Sequence, residues 1–449
     1  MRQNDTICAI STPAGVGGIA VVRLSGGDAV GIASAFLCDG SGKPVSLSDH
    51  KARLCEFRDG ETMIDEVVAT LFKTPRSYTG EDVVEISCHG SVYVQERILR
   101  LLMDGGARLA EPGEFTLRAF LNHRLDLSQA EAVADLIDSR SEASHKLAVS
   151  QMRGGYAKEL ESLRQDFIDL SALLELELDF SDEDLTFASR EHLRELVDGL
   201  TDRVSRLAQS FQMGNALKQG IPVAIVGRPN AGKSTLLNAL LNEDRAIVSD
   251  TPGTTRDTIE ETMVVDGIAF RFIDTAGLRQ SSDEIEKLGL ERSRKAIEKA
   301  NVIIFLRDAR TPSDSDIEEL LPDVDGNEKI MFVVNNKCDL VQPPYPSGIS
   351  ISALKGIGVD DLKRSMVAAV KQRVDEQGDV LLTNARHYEA MKKVLAALGE
   401  VRKGMDVDIT PDLLVIDIRD ALYHLGTITG KITNDEILSS IFSRFCVGK

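Results

Sequence analysis

The stretch Pro222-Val223-Ala224-Ile225-Val226-Gly227-Arg228-Pro229-Asn230-Ala231-Gly232-Lys233-Ser234-Thr235-Leu236-Leu237-Asn238-Ala239-Leu240 decides the architecture around it. Its apolar opening reads as a buried strand, and the residues from Leu236 onward recur with helical period. Between them stands Gly-x-x-x-x-Gly-Lys-Ser, so strand, glycine-rich loop and helix follow in the order of a phosphate-binding loop. The glycines let backbone N–H groups turn inward, and the N-terminus of the helix adds positive potential where phosphates sit. Lys233 is expected to reach the β- and γ-phosphates and the Ser234 hydroxyl to ligate Mg²⁺. Asn230, Ala231, Gly232 and Thr235 belong to the same cradle.

Three further elements follow downstream. Asp274-Thr275-Ala276-Gly277 ends the strand at residues 270–273. A carboxylate there can hold the Mg²⁺ water shell, and the Gly277 N–H can bind the γ-phosphate and release it after hydrolysis. Before it, Ser249-Asp250-Thr251-Pro252-Gly253-Thr254-Thr255 reads as a first switch, with Thr255 closing the Mg²⁺ shell. Asn336-Lys337-Cys338-Asp339 follows a strand at residues 330–334 and sets the base. Asp339 accepts hydrogen bonds from N1–H and N2–H₂ of guanine, whereas adenine leaves the carboxylate unpaired. A buried polar group left unsatisfied costs about 1–3 kcal/mol, enough to select GTP over ATP. Ser352-Ala353-Leu354 is expected to back the base; Leu354 replaces the usual Lys, so only its backbone is assigned a role.

One position departs from Ras-like sites. Leu278 stands where a Gln orients the attacking water, and an apolar side chain cannot polarise a nucleophile. Another group must supply that function, and the acidic stretch Asp283-Glu284-Ile285-Glu286 is the candidate source.

At 449 residues the chain exceeds one ordinary core, and 43% hydrophobic with 27% charged residues is a globular composition. No apolar run approaches the roughly 20 residues that cross a bilayer, and the first residues carry no signal-peptide pattern, so a cytoplasmic protein without membrane contact is expected. Cys8, Cys38, Cys55, Cys88, Cys338 and Cys446 form no C-x-x-C pair, which disfavours a zinc site or disulfide framework. The net charge of −19 argues against a dedicated nucleic-acid binder while leaving room for a local basic surface.

Residues 1–118 read as strands and turns with one helix near Val92 to Met103, an α+β domain. Residues 119–216 turn helical, with stripes such as Leu160, Leu163, Phe167 and Leu170 that belong to a bundle core. Residues 217–376 alternate strand and helix, the texture of a parallel α/β sheet, and residues 377–449 are helical again. The expected fold is therefore multidomain: an α+β N-terminal domain, a helical domain split in sequence, and an α/β P-loop domain inserted into it.

The order of these modules, together with Gly253-Thr254-Thr255-Arg256-Asp257, Tyr78-Thr79-Gly80-Glu81-Asp82, Pro112-Gly113-Glu114-Phe115, Phe120-Leu121-Asn122 and Phe445-Cys446-Val447-Gly448-Lys449, closely resembles the MnmE (TrmE) tRNA-modification GTPases. The resemblance implies a folate-binding N-terminal domain that dimerises and partnership with the flavoprotein MnmG in a heterotetramer or larger assembly. FAD and NADH would enter only through that partner. It implies addition of a carboxymethylaminomethyl or aminomethyl group to C5 of the wobble uridine of certain tRNAs, from 5-formyl- or 5,10-methylene-tetrahydrofolate. The alternative class is a GTP-switched RNA or ribosome assembly factor without covalent chemistry. Arg23, Glu81, Arg124 and Lys449 match the folate-contacting positions. Asn230, Ser249, Thr251 and Thr254 match a K⁺ site that stands in for an arginine finger, and Glu286 matches the acid that organises the water. Cys446 is open to two readings, a nucleophile by position or a small buried hydrophobe.

Overall fold

The computed structural model describes residues 5–179, 190–244, 261–273, 294–312, 329–345, 347–378, 380–407, 409–443 and 445–448. It divides into two compact units, residues 1–134 with 426–449 and residues 135–425. By compactness, the last part of the helical segment 377–449 groups with the N-terminal residues.

The first unit holds β1 (Ile7–Ile10), β2 (Gly17–Ser25), α1 (Ala29–Ser34), β3 (Leu37–Cys38), β4 (Ala52–Asp59), β5 (Thr62–Phe72), β6 (Val83–Gly90), α2 (Val92–Asp104), β7 (Arg108–Leu109) and α3 (Glu114–Leu121). The seven strands form one sheet in the order β3-β4-β5-β6-β2-β1-β7, antiparallel except for the β1–β7 pair. Period-two alternation explains the layering: Ala20, Val22 and Leu24 of β2 face a core closed by Ile98, Leu101 and Leu102 of α2. Arg23, on the opposite side of the same strand, pairs across to Glu85 of β6. At that side Ile7 and Ala9 meet Ala110, Phe115 and Tyr78.

The second unit carries α5 (Glu142–Met152), α6 (Gly155–Asp179), α7 (Arg190–Gln209) and α8 (Phe211–Gln219) before the α/β layer, and α11 (Ala385–Asp406) and most of α12 (Pro411–Thr429) after it. The helix α4 (Leu127–Asp138) spans the boundary between the units. Leu193, Val197, Leu200, Val204 and Leu207 form the buried stripe of α7, and α11 buries Met391, Val394, Leu398 and Val401. The two helices pack together, with Arg402 and Asp198 paired at 2.9 Å.

The α/β layer is a six-stranded sheet in the order β13-β12-β11-β8-β10-β9. Its strands are β8 (Ile221–Val226), β9 (Glu261–Val265), β10 (Ile268–Phe272), β11 (Val302–Asp308), β12 (Ile330–Asn336) and β13 (Ile349–Ser350). Only β9–β10 runs antiparallel. Every residue of β8 is buried, as a central parallel strand covered on both faces requires. α9 (Lys233–Asp244) and α10 (Val359–Gln377) cover one face through Leu236, Leu240, Leu362 and Met366. The other face is closed by Ala296, Ile297 and Ala300.

Candidate functional site

At its C-terminal end β8 passes into the glycine-rich loop, at the edge of the sheet where open α/β folds bind ligands. Two glycines are compelled there. Gly227 has φ +151 and a Cβ on it would lie 2.1 Å from the Leu306 carbonyl oxygen; Gly232 has φ +99 and its Cβ would lie 2.3 Å from Asn336 Nδ2. The loop is thereby drawn against the ends of β11 and β12, a cradle that side chains would fill. Lys233, first residue of α9, donates from Nζ to the Gly227 and Arg228 carbonyls at 2.8 and 2.9 Å. Burial pushes its ammonium pKa down, and a phosphate beside it would favour the charged form.

Asn336 ties three loops into one site. It is buried, donates from Nδ2 to the Ala231 carbonyl at 2.8 Å, and accepts from the backbone N–H groups of Lys337 at 2.9 Å and Ala353 at 3.0 Å. Lys337 adopts φ +65 and donates to the Asn230 carbonyl and to Asp308 Oδ2, each at 2.8 Å. Arg310 grips Asp308 from the other side, and with Lys337 it holds that carboxyl far below the usual range. Asp339 lies beside the Ser352 hydroxyl, and its Oδ2 is 3.2 Å from Lys355 Nζ. The Ser352 hydroxyl and then Lys355 keep the Asp339 carboxyl below its ordinary range, ionised and ready to accept. Leu354 is 83% exposed, so its side chain contributes no wall.

Asn230, Ala231, Gly232, Lys233, Asn336, Lys337, Asp339, Ser352 and Ala353 are thus brought to one rim, with Ser234 and Thr235 opening α9 beside them. Ser249 to Thr255, Asp274 to Gly277, Glu286 and Lys449 lie outside the described residues. Asp308 and Lys355 escaped sequence reasoning because each acts through a partner distant in the chain.

A second constellation occupies the N-terminal unit. Arg23 donates from Nε to Glu85 at 2.9 Å, and its guanidinium lies 5.5 Å from the Tyr78 ring centre and 5.6 Å from that of Phe115. Glu81 accepts from the Ser25 hydroxyl at 2.6 Å and from Arg118 at 3.2 Å. Arg118 is itself buried and also bonds Asp5 at 2.8 Å and Glu114 at 3.1 Å. The Arg124 stem runs alongside Gly80, where a Cβ would lie 3.2 Å from its Cγ. The tail reaches this place: the Gly448 carbonyl accepts from the Ser11 hydroxyl at 3.1 Å and from Arg23 at 3.4 Å. Gly448 has φ +97 and leaves room for no side chain, since a Cβ would lie 2.3 Å from the Ile10 carbonyl oxygen. Phe442 and Phe445 anchor the tail against Leu117 and Leu127. Cys446 is exposed, which removes the reading of it as a buried hydrophobe.

Two family models match. The GTP-binding protein TrmE N-terminus covers residues 6–124, and the MnmE helical domain covers residues 127–446. The tRNA modification GTPase MnmE of Cytophaga hutchinsonii is 47% identical over 455 residues, spanning 100% of this chain and 98% of that protein. The tRNA modification GTPase MnmE of Bacteroides fragilis is 47% identical over 469 residues, spanning 100% of both chains. Among solved structures, the G domain of the T. maritima FeoB iron transporter aligns at 23% identity over 33% of this chain and 97% of its own, with a TM-score of 0.24, too slight a likeness to argue from. With both family models matched and near-half identity maintained along its whole length, the chain belongs to the MnmE family of tRNA modification GTPases.

Proposed function

We propose that this chain hydrolyses GTP and that the cycle serves the addition of a carboxymethylaminomethyl or aminomethyl group to C5 of the wobble uridine, position 34, of certain tRNAs. The observation that carries the reading is the Asn336 junction, which joins a phosphate cradle to a guanine-reading carboxylate in a chain of this family. Ser234 and Thr255 would hold Mg²⁺, which neutralises charge on the β- and γ-phosphates. Asn230, with Ser249, Thr251 and Thr254, would hold K⁺ in place of an arginine finger, and Glu286 would orient water where Leu278 cannot.

A tetrahydrofolate derivative would bind at Arg23, Glu81, Arg124 and Lys449. What supports this is the chemistry of the donor set: a guanidinium flanked by two aromatic rings, a carboxylate fixed by Ser25 and Arg118, and the tail closing beside them. A homodimer joined to a flavoprotein partner, with tRNA as substrate, completes the proposal. Its working modules are residues 1–118 for folate and dimerisation, 119–216 with 377–449 for the helical part, and 217–376 for GTP.

The deciding experiment is nucleoside analysis of tRNA from cells lacking the chain. Loss of the C5-modified wobble uridine is expected; unchanged nucleosides would overturn the modification reading. Equal GTP turnover in K⁺ and Na⁺ would sink the cation assignment, and full turnover in Glu286→Ala would sink that of the water-orienting acid.

A further inference from the structure

We infer that the groove between α5 and α6 is a landing site for backbone phosphates of tRNA. The inference rests on the reading of the chain as a tRNA-modifying protein and adds to it a place of contact. A net charge of −19 repels RNA from the molecule as a whole, so productive contact has to be local and basic.

The helical period of α5 sets His145, Lys146, Val149 and Ser150 along one side, Arg153 caps that helix, and α6 adds Gly155 and Lys158; together they line an open cavity of about 450 Å³. The concavity follows from Gly155. A Cβ there would lie 3.2 Å from Ser150 Oγ and 3.3 Å from the Ser150 carbonyl oxygen, so glycine lets α6 begin hard against α5. Tyr156 and Leu160 turn into the core, which leaves Lys158 facing solvent.

The cations are available. Lys146 pairs at 2.6 Å with Glu142, an exposed contact worth little and readily exchanged. Arg153 and Lys158 have no carboxylate partner among the described residues, and the adjacent acid Glu159 is held by Arg203 at 2.8 Å. The lining contains no large aromatic ring, so the groove offers charge and the Ser150 hydroxyl to phosphate and ribose and no platform for stacked bases. Contact of this kind positions a nucleic acid without reading its sequence.

The test measures binding of a fluorescently labelled, unmodified tRNA transcript to the full-length chain across a salt series. Arg153→Glu/Lys158→Glu is expected to weaken binding about tenfold near 0.1 M salt and to lower the salt slope by about 2. Arg153→Gln/Lys158→Gln should give a smaller loss of the same kind. Lys392→Glu/Lys393→Glu on α11 serves as a charge-matched control, and fluorescent GDP binding serves as the folding check in all three. A groove variant that binds tRNA like the wild type, or loses no more than the control, overturns the inference. So does a wild-type chain that binds no tRNA. The parent reading fails on a separate measurement, unchanged wobble nucleosides in cells lacking the chain.

Discussion

Replacing Asn336 with Ala tests whether the nucleotide site is assembled before the nucleotide arrives. The amide makes three hydrogen bonds to three loops: to the Ala231 carbonyl, from the Lys337 N–H and from the Ala353 N–H. Each is worth about 1 kcal/mol net, so the substitution removes about 3 kcal/mol of preorganisation. A nucleotide binding the variant must order those loops itself. Charged in full to binding, the loss corresponds to about 100-fold in Kd. Fluorescent GDP titration in Mg²⁺ reads it directly, and urea unfolding reports any part that appears as lost stability instead. Asn336→Asp keeps the acceptor and sets a carboxylate oxygen against the Ala231 carbonyl, so it should weaken binding at least tenfold. If Asn336→Ala binds GDP within threefold of wild type and unfolds at the same urea concentration, the loops are held by something else and the reasoning is wrong.

Asp339→Asn turns one of the two carboxylate acceptors proposed for N1–H and N2–H₂ of guanine into a donor and should cost at least about 100-fold in GTP affinity, with xanthosine triphosphate recovering part of it; equal affinity for GTP would refute Asp339 as the base reader. Gly448→Ala places a methyl group 2.3 Å from the Ile10 carbonyl oxygen, so the tail should leave the Arg23 site and binding of 5-formyl-tetrahydrofolate should fall about tenfold or more, measured by calorimetry. The acid limb of stability depends on Asp5 and Glu114. Arg108, then Arg118, lower the Asp5 pKa; for Glu114 burial pulls upward but is outweighed by Arg108, the Glu111 N–H and Arg118. Both folded pKa values are depressed, so the contribution is complete above the ordinary values of 3.8 and 4.5 and is lost as pH falls through the lower folded ones. Urea midpoints between pH 7 and pH 3 should therefore fall less steeply in Arg118→Met than in wild type; parallel curves would remove Arg118 from the account.

What the sequence made legible was local. The loop from Gly227 to Ser234 names its own ligand because each residue's role is set by near neighbours. The period-3.6 pattern located α2 to within a residue at each end. What escaped was long-range. That the Gly448 carbonyl meets Ser11 and Arg23 depends on a chain closure that no window of sequence contains. Lys355 beside Asp339 and Asp308 beside Lys337 are likewise partners made by the sheet edge. The β4–β5 hairpin turns at Gly60-Glu61, with Gly60 at φ +59, inside a segment the sequence reads only as strands and turns.

The joint between the α/β layer and the helices has a consequence for the joining of the helices. Ser210 Oγ accepts from the Leu382 N–H at 3.0 Å, and Gly214 admits the Leu382 carbonyl so closely that a Cβ would lie 2.2 Å from it. The chain therefore leaves and re-enters the helices at one point. Arg194 and Asp406, an ion pair across α7 and α11, are 212 residues apart, yet once the α/β layer has folded with its ends together the loop between them shortens roughly fourfold, about 1 kcal/mol of closure entropy. An α/β layer folded with its ends together acts as the turn of a helical hairpin, so a substitution that unfolds the layer is expected to raise the closure cost of joining helices it never touches.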